Sequence, residues 1–196
     1  MKPFEGYRIL DLTHVLAGPF SAFQLAVMGA DVIKVEAPNG GDWVRFVPPA
    51  RGGLSVQFIA LNRNKRSVEI DTKSAEGKQM VYDLVRNADV VVDNFRAGVM
   101  DRLGFGYDAL KAINPRIICA SGTGFGEKGP YAHKGGQDVL AQAMSGVMEK
   151  TADPSIERSI YPTTLCDYTA GMHLVQGILL ALLQRDKTGE GQLVSV

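Results

Sequence analysis

Residues 7–36 read YRILDLTHVLAGPFSAFQLAVMGADVIKVE, and three patterns succeed one another along them. Tyr7 to Leu12 is a short apolar run of strand character. Pro19 to Met28 has Pro at its start and Gly29 at its stop, the asymmetry expected of a helix. Asp31 to Glu36 is a second strand candidate. Strand, helix and strand within about 30 residues is the spacing of a βαβ unit, whose two strands run parallel.

The alternation continues downstream. Residues 37–56 hold three prolines and four glycines and predict a long loop. Arg66 to Ile70 predicts a third strand. Ser74 to Arg86 predicts a helix, with Met80, Val81, Leu84 and Val85 on its apolar side. Val90 to Asp93 is a near-continuous Val run and a fourth strand. Tyr107 to Ile113 predicts a short helix ended by Asn114-Pro115. Ile117 to Ser121 is a fifth strand. The strands hold consecutive apolar residues, Val90 to Val92 and Ile117 to Ala120 most clearly, rather than a strict alternation, which argues for burial on both faces. The fold class is therefore α/β, a Rossmann-like parallel sheet with helices on both faces. Ligands in such sheets sit at the carboxyl ends of the strands, here residues 13–18, 36–45, 94–102 and 122–137.

The last third differs in type. Gln137 to Val147 and Leu165 to Arg185 have helical patterns. In the second, Leu165, Tyr168, Met172, Val175, Leu179 and Leu183 recur at three- and four-residue spacing. A turn over Lys187 to Gly191 leads into Gln192 to Val196, which has the look of a strand beginning. The chain stops inside that apolar element, so the sequence predicts a longer parent chain.

Composition narrows the function class. The 196 residues include 21 Lys+Arg and 21 Asp+Glu, with 45% hydrophobic residues. That is enough apolar material for one large core, and disorder is excluded for most of the chain. The charge balance argues against a nucleic-acid binder and against a polybasic membrane protein. Cys119 and Cys166 lie in apolar stretches with no C-x-x-C spacing, the pattern of reduced thiols. No secretory h-region follows Met1. Met172 to Leu183 is too short for a span of ~20 apolar residues. A soluble, cytoplasmic protein is expected.

Gly124-Phe-Gly126-Glu-Lys-Gly129 fits the G-x-G-x-x-G pattern, but Pro130 follows and no helix opens there. Glu36 ends the second strand, where a ribose-binding acid would sit. The first strand, the proper place for the fingerprint, lacks it, so no NAD is expected and the glycines predict a flexible loop. Arg63, Lys65, Arg66, Lys73, Arg96 and Arg102 read as a solvated surface or as a phosphate site. His14, His133 and His173 are scattered, and no metal is expected. No G-x-S-x-G elbow is present. Asp167 has two readings. Thr164-x-x-Asp167 fits a helix capping box. Alternatively, Asp167 is a nucleophilic carboxylate at a helix start, where free N–H groups would favour its ionised form.

Several stretches together resemble one family. They are Ile9 to Pro19, Gly29 to Glu36, Asn62 to Ser67, Ala88 to Arg96 with Gly98, and Leu103 to Tyr107. Asn114 to Ile118, Gly124 to Gly126 with Gly129-Pro130, Gln142 to Gly146 and Lys187 to Gln192 complete the set. The chain resembles the class III CoA-transferases, the group that includes formyl-CoA transferase, carnitine CoA-transferase and the α-methylacyl-CoA racemases. The resemblance implies that residues 1–196 are the incomplete large domain, with a small domain and a returning C-terminal segment absent. It implies an interlocked homodimer acting on an acyl-CoA and a carboxylic acid acceptor, with coenzyme A as the moving group. It implies little activity from these residues alone.

Residue by residue, the resemblance assigns the nucleophile to Asp167, passing through an aspartyl anhydride and an aspartyl-CoA thioester. His14, Val15 and Leu16 would line the active site with Gln137 and Asp138. Ile70, Lys73, Asn94, Phe95 and Arg102 would contact CoA. Leu16 stands where formyl-CoA transferase has Gln, and Ala37-Pro38 where some members carry Arg. Gln137 stands where racemases use His. A Gln cannot exchange a proton near neutral pH, which favours transfer over racemisation. Asp138 would orient acyl or pantetheine groups.

Overall fold

The computed structural model describes residues 1–149, 153 and 155–196. The first unit is β1 (Arg8–Asp11), α1 (Ala17–Val27) and β2 (Asp31–Glu36). A 3-10 turn over Trp43–Phe46 and a small hairpin, β3 (Ala50–Arg51) with β4 (Leu54–Ser55), lead to α2 (Val56–Asn62). Then come β5 (Lys65–Glu69), α3 (Ala75–Val85), β6 (Val90–Asp93), α4 (Val99–Leu103), α5 (Tyr107–Ile113) and β7 (Ile118–Ser121). The last elements are α6 (Asp138–Met144), α7 (Leu165–Thr188) and β8 (Leu193–Ser195).

Six strands form one sheet in the order β5-β2-β1-β6-β7-β8. Every neighbouring pair is parallel. This is the doubly wound order, with its direction of growth reversing between β1 and β6. The apolar runs now have their reason. Ile9, Val32, Val90 and Val92 face Ala22 and Leu25 of α1 and Leu174 and Ile178 of α7. Leu10, Ile33 and Val91 face Val81 and Val85 of α3 and Leu110 of α5. Successive strand side chains point to opposite faces, and both faces are covered.

The expected strands and the helices α1, α3, α5, α6 and α7 are all present. Two helices lie outside the expectation. α2 begins inside the predicted loop, where the Ser55 hydroxyl accepts from Phe58 N. α4 is five residues long and is bounded by Gly98 and Gly104, both left-handed. A segment so short leaves almost no periodic signal. The helix α7 has 24 residues, longer than the apolar core read from sequence and long enough by length and composition to cross a membrane. One face of it is instead packed on the sheet through Leu174, Ile178, Ala181 and Leu182.

α1 and α7 cross closely at Gly171. A Cβ there would lie 2.6 Å from the Ala17 carbonyl oxygen and 2.9 Å from the Phe20 ring. Overpacking of this kind costs about 1–3 kcal/mol. Gly171→Ala is expected to lower the melting temperature by ~2–4 °C for each kcal/mol lost. Thermal unfolding followed by circular dichroism checks this; an unchanged midpoint would mean that the crossing adjusts freely.

Candidate active site at the strand switch point

The loops leaving β1 and β6 splay apart at the point where the sheet reverses, and a cavity of about 670 Å³ opens there. Its walls come from six places. His14 to Gly18 follow β1, Asn94 to Arg96 follow β6, and Gly122 to Phe125 follow β7. Lys134 to Asp138 lead into α6, and Cys166, Asp167, Ala170, Gly171 and Leu174 belong to α7. Trp43 lines the cavity from the 3-10 turn and is otherwise exposed.

A buried ionic frame fixes the loop after β1. Asp11 accepts from Lys65 Nζ at 2.7 Å and from Thr13 N at 2.9 Å, and the Thr13 hydroxyl also donates to it. Lys34 Nζ donates to the Thr13 carbonyl at 2.7 Å and pairs with Asp42 at 3.3 Å. Asp42 in turn accepts from Val15 N at 3.2 Å. Val15 is held at φ 70, a left-handed conformation that a β-branched residue adopts only under constraint. Burial alone would raise the Asp11 carboxyl, but the Lys34 and Lys65 ammoniums outweigh it and hold it at about 2.

The side chain of Asn94 joins the two exits. Its Oδ1 accepts from His14 N at 2.8 Å, and its Nδ2 donates to the His14 carbonyl at 2.7 Å. The His14 ring lies 5.4 Å from that of Phe95. Burial pushes the His14 imidazole below its ordinary range, against the opposing pull of Asp42.

Asp167 sits in the first turn of α7, and the capping box does not form: Thr164 makes no side-chain cap bond. The cap comes from another helix. Asp138 Oδ1 accepts from Cys166 N at 2.7 Å and from Asp167 N at 3.0 Å. Two N–H groups expected to favour the ionised form of Asp167 therefore serve its neighbour. Burial and then the Asp138 charge push the Asp167 carboxyl up to about 6, the reverse of the expected lowering.

The structure brings His14, Val15, Leu16, Asn94, Phe95, Gln137, Asp138 and Asp167 to one cavity. It places Ile70, Lys73 and Arg102 elsewhere. Ile70 is packed in the core under α3, Lys73 lies in the turn before α3, and Arg102 is on α4. Glu36 has no free edge for a ribose: Arg45 grips it with two bonds of 2.9 and 2.5 Å, and Ser67 donates to it at 2.6 Å. The G-x-G-x-x-G run is a loop whose Gly124 meets Gly136 backbone to backbone, leaving no room for a Cβ on either. Lys65, read from sequence as a surface or phosphate-site cation, is buried against Asp11. Arg96 and Lys134 line the cavity from the strand-exit segments where a ligand was expected, and Cys166 lines it from α7, outside those segments. Among the described residues, no group of three or more His, Cys, Asp or Glu is arranged to hold a metal ion.

Fold and site together define a doubly wound α/β protein with a carboxylate of raised pKa in its switch-point cleft. The family model described as CoA-transferase family III matches residues 4–196, and the chain belongs to that family. A formyl-CoA:oxalate CoA-transferase of Streptomyces coelicolor is 46% identical over 100% of this chain and 47% of its own length. The mouse succinyl-CoA:glutarate CoA-transferase is 41% identical over 99% of this chain and 45% of its own. The crystal structure of a CAIB/BAIF family protein from Brucella suis superposes with a TM-score of 0.93 at 41% identity. It covers 98% of this chain and 52% of the other. The chain spans about half the length of these relatives.

Two outcomes follow from the site. Lys65→Met leaves Asp11 charged, buried and without its closest cation, a loss of about 3–5 kcal/mol. Denaturant unfolding measures it, and a loss within error would show that Lys34 alone neutralises Asp11. The second outcome concerns Asp167. A carboxyl raised from 3.8 to about 6 by folding destabilises the folded state where it is ionised, above pH 6, and not below its unfolded pKa. Asp167→Asn is therefore expected to raise the melting temperature at pH 8 by more than at pH 5. Equal shifts at both pH values would place Asp167 in a wetter setting.

Proposed function

We propose that these residues carry the nucleophile and the cleft of an enzyme that moves CoA from an acyl-CoA to a carboxylic acid. The observation that supports this most is Asp167, a carboxylate at about 6 in the cleft formed at the switch point. It is ionised at pH 7 and only partly solvated, the condition of a competent nucleophile. Asp167 attacks the thioester carbonyl, the C–S bond breaks, and CoA thiolate leaves with the electron pair. The thiolate then attacks the aspartyl carbonyl of the anhydride, releasing the donor acid and leaving an aspartyl-CoA thioester. The acceptor carboxylate displaces the thiolate to form a second anhydride. The thiolate attacks the acceptor's acyl carbon, and Asp167 returns as a carboxylate.

The substrates on this reading are an acyl-CoA and a carboxylic acid, the classes named in the relatives' activities. The parent chain adds a small domain and pairs with a second copy in an interlocked homodimer, which closes the cleft. Residues 1–196 alone then have little activity. A CoA-thioester isomerase is the second reading. It needs two groups to exchange an α-proton; Gln137 cannot, and Asp138 Oδ1 is engaged by two N–H groups of α7.

Hydroxylamine added during turnover of the full-length enzyme is expected to leave a hydroxamate on Asp167, located by peptide mass spectrometry. An active enzyme with unmodified Asp167 would exclude the mechanism. kcat/KM is expected to fall tenfold per pH unit below about 6.

A further inference from the structure

Asp138 is held in place by a residue that does not itself line the cavity. Gln142 lies one turn further along α6 and is 1% exposed. Its Nε2 donates to Asp138 Oδ2 at 2.5 Å and to the Thr163 carbonyl at 3.2 Å. Its Oε1 accepts from Tyr161 N at 2.8 Å. The amide thus uses both donor and acceptor ends, and its orientation is fixed by what surrounds it. One end reaches the carboxylate that caps α7, and the others reach the chain that enters α7. A buried, saturated polar network of this kind specifies one geometry.

We propose that Gln142 is a positioning residue for Asp167, setting the angle and surroundings of the first turn of α7 through the Asp138 carboxylate. The inference rests on the reading of Asp167 as the nucleophile. The division of labour is defined by Asp138. Oδ1 takes the Cys166 and Asp167 N–H groups, and Oδ2 takes Gln142. Without Gln142, the Asp138 carboxylate turns about its own axis and its hold on α7 is lost. The helix N–H groups then become free to serve Asp167. The other titratable or charged groups at the cavity are His14, Cys166, Arg96 and Lys134; burial and then the Asp138 and Asp167 charges push the Cys166 thiol up.

The test is a set of variants of the full-length enzyme. Gln142→Leu keeps the volume and removes every hydrogen bond. It is expected to lower kcat at least tenfold with KM for the acyl-CoA changed less than threefold, and to move the acid limb of kcat/KM below that of the parent. Gln142→Glu sets a carboxylate against Asp138 and is expected to be less active still. A Gln142→Leu enzyme with a lower melting temperature but parental kcat and acid limb would overturn the proposal, as would a Gln142→Glu enzyme with parental activity. A carbon-13 titration of the Asp167 carboxyl separates the two ideas. If trapping fails to label Asp167 while Gln142→Leu still shifts its titration, the clamp stands and the nucleophile assignment falls.

Discussion

Four charges buried under one loop decide where the cleft is. Asp11 and Lys65 form one pair and Lys34 and Asp42 another, and all four side chains are essentially removed from solvent. Buried pairs of this kind are costly to build and add little net stability. Their effect is geometric. They tie the end of β1 to β2, to the start of β5 and to the 3-10 turn, and their hydrogen bonds end on Thr13 and Val15. A valine at positive φ persists because its surroundings over-determine it. The Asn94 clip then extends the same constraint to the exit of β6. The cleft is thus framed before any ligand arrives, which is what a site that relies on positioning requires.

Within that frame two carboxylates take different tasks because their donors differ. Asp138 accepts from two helix N–H groups and from an amide, all at hydrogen-bond distance. Asp167 is partly buried at the cleft wall and has a like charge close by, so its proton is held more tightly. A pKa near 6 also sets a balance. The carboxylate remains ionised at neutral pH yet is more basic than a solvated aspartate, and nucleophilicity rises with basicity.

Much of this is legible in the sequence because local signals and the global fold agree. The βαβ alternation, the Val90 to Asp93 run and the Gly29 stop all report burial on both faces, and the sheet follows from them. Lys65 misleads for a physical reason. A charged residue at a strand end is exposed by default, and only its three-dimensional partner, Asp11, reveals that it is enclosed. The Thr164 cap misleads similarly. A capping box is a local pattern, and Asp138 competes for the same N–H groups from 28 and 29 residues away. Spacing cannot register a donor and acceptor so far apart in the chain.

The same long-range pairing separates the transferase reading from the isomerase one more firmly than residue type does. Gln137 lacks an exchangeable proton, but a racemase could in principle draw on Asp138 beside it. The cap on α7 works against that route. An Asp138 that turned to accept an α-proton would release the Cys166 and Asp167 N–H groups and leave the buried Gln142 amide short of a partner. An unsatisfied buried donor costs about 1–3 kcal/mol, and here several would be exposed at once. The covalent chemistry proposed for Asp167 leaves that network in place, since the attacking oxygen lies on a different side chain from the one that caps α7. The arrangement suits a site in which one carboxylate forms and breaks bonds while its neighbour does not move.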